Sequence, residues 1–169
     1  AKSIASNQVL ELAHRLDIVA FDKTGTLTIG KPRLLALLSF DSSPASADEI
    51  LATAAGLQLG SEHPLAKALI DAAKEKNITP IAASANKALP GVGIEGAPNS
   101  GSFSGQTIRL QSVASLEQNT QYTNILDKAQ GCFDQGQTVS VLTNAQGSPI
   151  AIIAFGDELK ANAKAAIES

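Results

Sequence analysis

The feature that most constrains this chain is a short apolar run that ends on a carboxylate. Asp17-Ile18-Val19-Ala20-Phe21 reads as a short buried strand and leads straight into Asp22-Lys23-Thr24-Gly25-Thr26-Leu27-Thr28, with Gly30 and Pro32 close behind. The glycines and the proline mark a structured loop at the strand's C-terminal end, which in an open α/β sheet is the edge where ligands bind. An Asp at that tip can attack a phosphoryl group as a carboxylate nucleophile and form an aspartyl-phosphate. Backbone N–H groups around Gly25 and the hydroxyls of Thr24 and Thr26 can receive phosphoryl oxygens. A magnesium ion would offset the charge between the carboxylate and the phosphate. The competing reading is a capped turn with an exposed Asp.

Around this loop the chain alternates between helical and strand patterns. Ile4, Val9, Leu12 and Leu16 recur at near-helical spacing, so a helix feeds the first strand. Leu34–Phe40 reads as another strand, broken by Asp41-Ser42-Ser43-Pro44. Ser46-Ala47-Asp48-Glu49 has the form of a capping box, in which the Ser46 hydroxyl and the Glu49 carboxylate satisfy each other's backbone donors. Ile50, Leu51, Ala54 and Leu57 continue its apolar face. Pro64 suits the first position of a second helix, with Leu65, Ala68, Leu69 and Ala72 on one face and an end near Lys76. Gly60-Ser61-Glu62-His63 is the turn between the two helices.

From Thr79 to about Leu110, Gly, Pro, Asn and Ser separate short β-prone pieces, as antiparallel strands and hairpins require. Tyr122–Phe133 returns to helical spacing through Ile125, Leu126 and Ala129. Thr138–Thr143 and Pro149–Phe155 flank Asn144-Ala145-Gln146-Gly147, a hairpin signature, and Asp157 opens an Ala-rich stretch read as a last helix. Helix and strand, then a mostly antiparallel block, then the start of another helix is the order of a middle domain inserted into an outer one.

Composition removes several function classes. The 169 residues carry a formal charge of −3, with Lys and Arg scattered, so there is no electrostatic footprint for nucleic acid or an anionic membrane surface. One cysteine, Cys132, excludes a disulfide framework or a multi-cysteine metal site, and fits a reducing compartment. Apolar runs such as Ile150–Phe155 fall far short of the ~20 residues that span a bilayer. No methionine occurs, even at position 1, so the chain is expected to be a segment of a longer one. His14, beside Arg15 on the first helix, reads as a solvated side chain.

Two motifs carry a family resemblance. Asp22-Lys23-Thr24-Gly25-Thr26-Leu27-Thr28 is similar to the phosphorylation-site signature of P-type ATPases, within the wider group of haloacid-dehalogenase-type phosphotransferases. Phosphatases of that group usually carry a second Asp two residues past the nucleophile. This chain has Thr24, so a phosphoenzyme would hydrolyse slowly enough for a conformational step. Ser61-Glu62-His63-Pro64-Leu65 resembles the His-Pro motif of the nucleotide-binding domain of heavy-metal P-type ATPases, the copper and zinc pumps.

The resemblance implies roles for these residues. Asp22, Lys23, Thr24 and Thr26 form the catalytic set, with Asp22 and Thr24 toward magnesium. Glu62 and His63 sit at the adenine of ATP, the carboxylate accepting from the exocyclic amine, which would favour ATP over GTP. The local alternative is that Glu62 and His63 only cap the helix that begins at Pro64. Gly91-Val92-Gly93-Ile94-Glu95-Gly96 fits G-x-G-x-x-G but is preceded by Pro90 and followed by strand and turn residues, against a dinucleotide fold. By resemblance Gly91 and Gly93 lie beside the ATP phosphates, and a plain hairpin or β-bulge is the alternative.

The family pattern is broken at Gln111-Ser112, where copper pumps commonly have Gly-Asn, and at Glu158 and Lys160, which replace Pro and Arg of the hinge. The expected fold class is therefore α+β. An antiparallel sheet flanked by helices, residues 33–156, is inserted into a truncated α/β haloacid-dehalogenase-like phosphorylation domain made of 1–32 and 157–169. The expected partners are ATP and the rest of the pump: actuator, remaining phosphorylation domain and transmembrane helices, at the cytoplasmic face of a membrane. The segment itself would be soluble, and a dimer through its cut ends would be an artefact. A soluble phosphotransferase or phosphatase and a non-catalytic nucleotide-binding module are the alternative functions.

Overall fold

A computed structural model of the chain describes residues 28–116 and 122–159. The expected first helix and strand, His14, the loop with Asp22, Lys23, Thr24 and Thr26, and the segment from Lys160 onward lie outside the described residues. Lys31–Glu158 form one compact unit, to which the elements below almost entirely belong.

The order is β1 (Thr28–Ser39), α1 (Ala47–Leu57), α2 (Pro64–Glu75), β2 (Ala83–Leu89), β3 (Gly93–Pro98), β4 (Ile108–Ser112), a 3₁₀ turn (Val113–Ser115), α3 (Thr123–Asp134), β5 (Thr138–Asn144) and β6 (Pro149–Leu159). The strands make one six-stranded sheet in the order β1-β6-β5-β4-β3-β2. After β1 the chain crosses through α1 and α2 to the far edge, then walks back through antiparallel neighbours until β6 lies beside β1. Asn144 shapes the last hairpin, its side-chain oxygen accepting from the N–H groups of Gln146 and Ser148.

Alternation along the central strands builds a core on each face. From β6, Ala151, Ile153 and Phe155 pack under α1 and α2 with Leu51, Leu57 and Leu69, while Ile152 and Ala154 pack under α3 with Ile125 and Ala129. Burying each large side chain stabilises the fold by about 1.5–3 kcal/mol, which is why the central strands are apolar on both sides. Helix α1 is seated by Gly56. A Cβ there would lie 1.7 Å from the Ile81 carbonyl oxygen, and the Ile81 N–H donates to Ala52 O at 2.9 Å.

Three local expectations change. Strand β1 begins at Thr28, so Gly30 and Pro32 lie inside it and not in a loop. Pro32 is tolerated because β1 is an edge strand, where a missing N–H breaks no ladder bond on the open side. The longer β1 gives β6 a partner beyond Phe155, so Asp157 continues a strand to Leu159 and opens no helix. The capping box is half formed. The Ser46 hydroxyl accepts from Glu49 N at 3.2 Å, but the Glu49 carboxylate turns to Ser102, accepting from its N–H and, at 3.0 Å, its hydroxyl. A tertiary contact thus replaces the local one and ties α1 to the β3–β4 connection.

Candidate functional site

Helix α2 begins at Pro64, whose missing N–H costs nothing in a first turn. Its N-cap is His63, in extended backbone geometry, with Nδ1 accepting from Leu65 N at 3.2 Å. An acceptor at Nδ1 requires the neutral ring to carry its proton on Nε2, so His63 keeps a donor that the helix does not use. Ser61 braces the turn, its hydroxyl accepting from His63 N at 3.3 Å. Glu62 points elsewhere. Lys67 Nζ donates to its carboxylate at 2.6 Å, and both side chains are exposed. That hydrogen bond, and then the Lys67 charge, hold the Glu62 carboxyl below its ordinary pKa.

The β2–β3 hairpin faces this turn. Val92 N donates to Leu89 O at 2.9 Å across Pro90 and Gly91, and Gly91 has φ +73°. Pro followed by a residue of positive φ defines a type II turn, which only glycine enters without strain. Gly93 is needed for another reason. It pairs with Gln111, and a Cβ on it would lie 2.1 Å from Leu110 O. Ser112 N donates to Val92 O at 2.9 Å, fixing the hairpin tip to the end of β4. Gly93 opens a strand and not a helix, as the dinucleotide alternative would have required.

Between the α2 turn and the hairpin lies a cavity of about 500 Å³. Its exposed rim carries His63, Gly91, Gly93 and Ser112, and its interior is walled by Leu69, Leu110, Phe155 and Ser140, all buried. Among the described residues no Asp, Glu, Lys or Arg lines it. His63, Gly91 and Gly93, drawn from two distant motifs, thus converge on one opening, while Glu62 is not among its walls. Gln111 borders the cavity, yet its amide donates to Thr143 Oγ1 at 3.3 Å on the α3 side of the sheet.

Ser140 went unrecognised in the sequence. It is the polar member of Val139-Ser140-Val141-Leu142, and strand parity puts it on the α1–α2 face with Leu142. That interruption of an apolar face was the available signal.

A larger groove of about 770 Å³ runs between β1 and α2, lined by Lys31, Arg33, Asp71 and Glu75 among others, and none of the described motif residues reaches it. Among the described residues no cluster of His, Cys, Asp or Glu is placed to hold a metal ion, and no helix is long and apolar enough to cross a membrane. Cys132 is a buried free thiol in the core beneath α3.

An antiparallel sheet with helices on both faces, and a cavity where one helix starts, define the class of domain, and the sequence places it. Residues 16–169 match the haloacid dehalogenase-like hydrolases, and the chain belongs to that family. Its relatives are metal-transporting P-type ATPases. Copper-transporting ATPase 2 of Rhizobium meliloti (strain 1021) is 34% identical over 163 residues, which cover 96% of this chain and 19% of that protein. A crystal structure of a zinc-transporting PIB-type ATPase in its E2.Pi state superposes with a TM-score of 0.70 at 31% identity, over 86% of this chain and 22% of that one. The catalytic domain of the CPx-ATPase CopB-B, in a structure concerned with conformational changes upon nucleotide binding, gives 0.61 at 25% identity, covering 96% and 52%. The chain therefore spans about a fifth of the length of the transporters it matches.

Proposed function

We propose that this chain is the ATP-binding region of a heavy-metal-translocating P-type ATPase. ATP bound by residues 33–156 would phosphorylate Asp22 in the intact pump and drive metal export. The observation that carries this reading is the convergence of His63, Gly91 and Gly93 on one cavity, among whose described lining residues there is no Asp, Glu, Lys or Arg, in a chain whose relatives are such pumps. The cavity suits a purine base, the exposed hairpin glycines leave room for a phosphate chain at the rim, and His63 Nε2 offers a donor. Glu62 would leave Lys67 to accept from the adenine amine. Asp22, with Lys23, Thr24 and Thr26, forms the phosphoryl-accepting loop, and magnesium at Asp22 and Thr24 would screen the charge between carboxylate and phosphate.

The transported ion is of the copper and zinc class, and Glu62 before His63 leans to copper by resemblance. Thr24, in place of a second Asp, disfavours a soluble phosphatase. The segment alone should bind ATP without hydrolysing it, because the remaining phosphorylation domain supplies further magnesium and phosphate contacts.

Calorimetric titration with ATP and GTP tests this. Saturable binding, tighter for ATP and weakened in Glu62→Ala and His63→Ala, supports the assignment. Equal affinity for the two nucleotides removes Glu62 from the adenine. No binding to the unmodified chain overturns the nucleotide reading.

A further inference from the structure

Among the described residues that line the cavity, Gln111 and Ser140 are the buried polar ones, and the Gln111 amide is bonded to Thr143. Ser140 is 9% exposed, between Val139 and Val141, whose side chains pack on the α3 side. Its own side lies with Leu142, Leu110 and Phe155, on the face that the cavity opens. Among the described residues Thr53 Oγ1 is the buried side-chain polar atom left without a partner; the Ser140 hydroxyl, which makes no described side-chain hydrogen bond, is instead open to whatever fills the cavity. Across the β4–β5 ladder it pairs with Ser112, which stands exposed at the rim, so two hydroxyl-bearing residues step from mouth to floor.

We infer that Ser140 is a nucleobase-binding residue of this cavity, its hydroxyl bonding the polar edge of the base that enters against Phe155 and Leu69. The inference rests on the nucleotide reading above and adds to it a contact that neither the His-Pro motif nor the glycines supply. Charge decides which part of a nucleotide goes inward. The described wall residues include no Lys or Arg, so a phosphate among them would lose its hydration uncompensated, whereas a purine ring gains from apolar contact and needs partners only along its edge. Triphosphate therefore stays at the rim with Gly91, and the base occupies the interior. A serine hydroxyl both donates and accepts, so it can meet a ring nitrogen, an amine or a carbonyl. Ser140 anchors a base without choosing between adenine and guanine, and leaves that choice to the rim.

The test compares the unmodified chain, Ser140→Ala and Ser140→Thr by titration with ATP and with adenosine, alongside thermal melts. Ser140→Ala should weaken both ligands by the same factor, about three- to tenfold, the worth of one buried hydrogen bond. Ser140→Thr, which keeps the hydroxyl, should restore affinity to within about twofold of the unmodified chain. Removing a hydroxyl that makes no described side-chain hydrogen bond should leave the melting temperature unchanged or raised, whereas a structural role would lower it. Unchanged affinity in Ser140→Ala, with ATP still bound and still weakened by His63→Ala, overturns the contact and spares the nucleotide assignment. An effect on ATP that is absent with adenosine also overturns it, since the hydroxyl would then serve the phosphates. Failure of the unmodified chain to bind either ligand removes both readings together.

Discussion

The two faces of the sheet treat polar side chains in opposite ways. Beneath α3, Thr143 is fully buried, but its hydroxyl accepts from Gln111, and around them Val113, Ile125, Val141 and Ile152 close the packing. Beneath α1 and α2, Ser140 turns its hydroxyl toward a cavity into which the packing opens at the His63 turn. One face satisfies its polar groups internally and so acts as scaffold. The other leaves one hydroxyl, that of Ser140, open to a cavity where a ligand can reach it. Access from the cavity, and not burial, separates a polar residue that can bind from a structural one: Thr53 Oγ1 of α1 is buried without a partner and is not among the cavity's lining residues.

The largest effect should come from the scaffold face. Ile152→Ala should cost about 2–5 kcal/mol of stability, read by denaturant unfolding, while ATP affinity measured well below the midpoint stays unchanged. Parallel losses of stability and affinity would show that the faces do not act independently. The paired glycines come next. Gly93→Ala pushes a methyl into the β4 backbone and should destabilise by about 1–3 kcal/mol. Gly91→Ala has open space around it but a left-handed backbone, so it should cost about 1 kcal/mol and weaken ATP while sparing adenosine.

Smaller effects divide the two roles of the α2 turn. His63→Ala removes the cap, for about 1 kcal/mol, together with the ring; His63→Asn keeps a capping oxygen and should melt like the unmodified chain while binding ATP less well. Retained affinity in the Asn variant would make His63 a cap only. Smallest is Lys67→Ala, which should lower the melting temperature only slightly because the pair is exposed. The Glu62 carboxyl should then titrate higher, by NMR, than in the unmodified chain. A carboxyl held low in the folded state contributes stability above its unfolded pKa, and that contribution fades as pH falls through the folded pKa. Lys67→Ala should flatten this dependence.

Much of this was legible in residues whose local and tertiary preferences agree. Pro64 with Leu65, Ala68 and Leu69 defines α2, and Asn144–Gly147 defines the last hairpin, because capping and turn chemistry need only neighbours. The misread segments are those where a distant partner decides. Glu49 prefers Ser102 to the Ser46 N–H, and Asp157 extends a strand because an edge strand 12 residues long lies beside it. At the site, spacing found His63, Gly91 and Gly93, yet could not tell that Glu62 pairs with Lys67 or that Gln111 faces α3. Ser140 was visible only once strand parity assigned it a face.

The most direct measurement is NMR mapping of the backbone amides during titration with ATP. A nucleotide cavity on one face predicts shifts concentrated at His63, Gly91–Gly93, Ser112 and Ser140, with Ile125 and Ala129 of α3 unmoved. Shifts confined to the β1–α2 groove near Arg33 and Glu75, or no saturable shift at all, would contradict it.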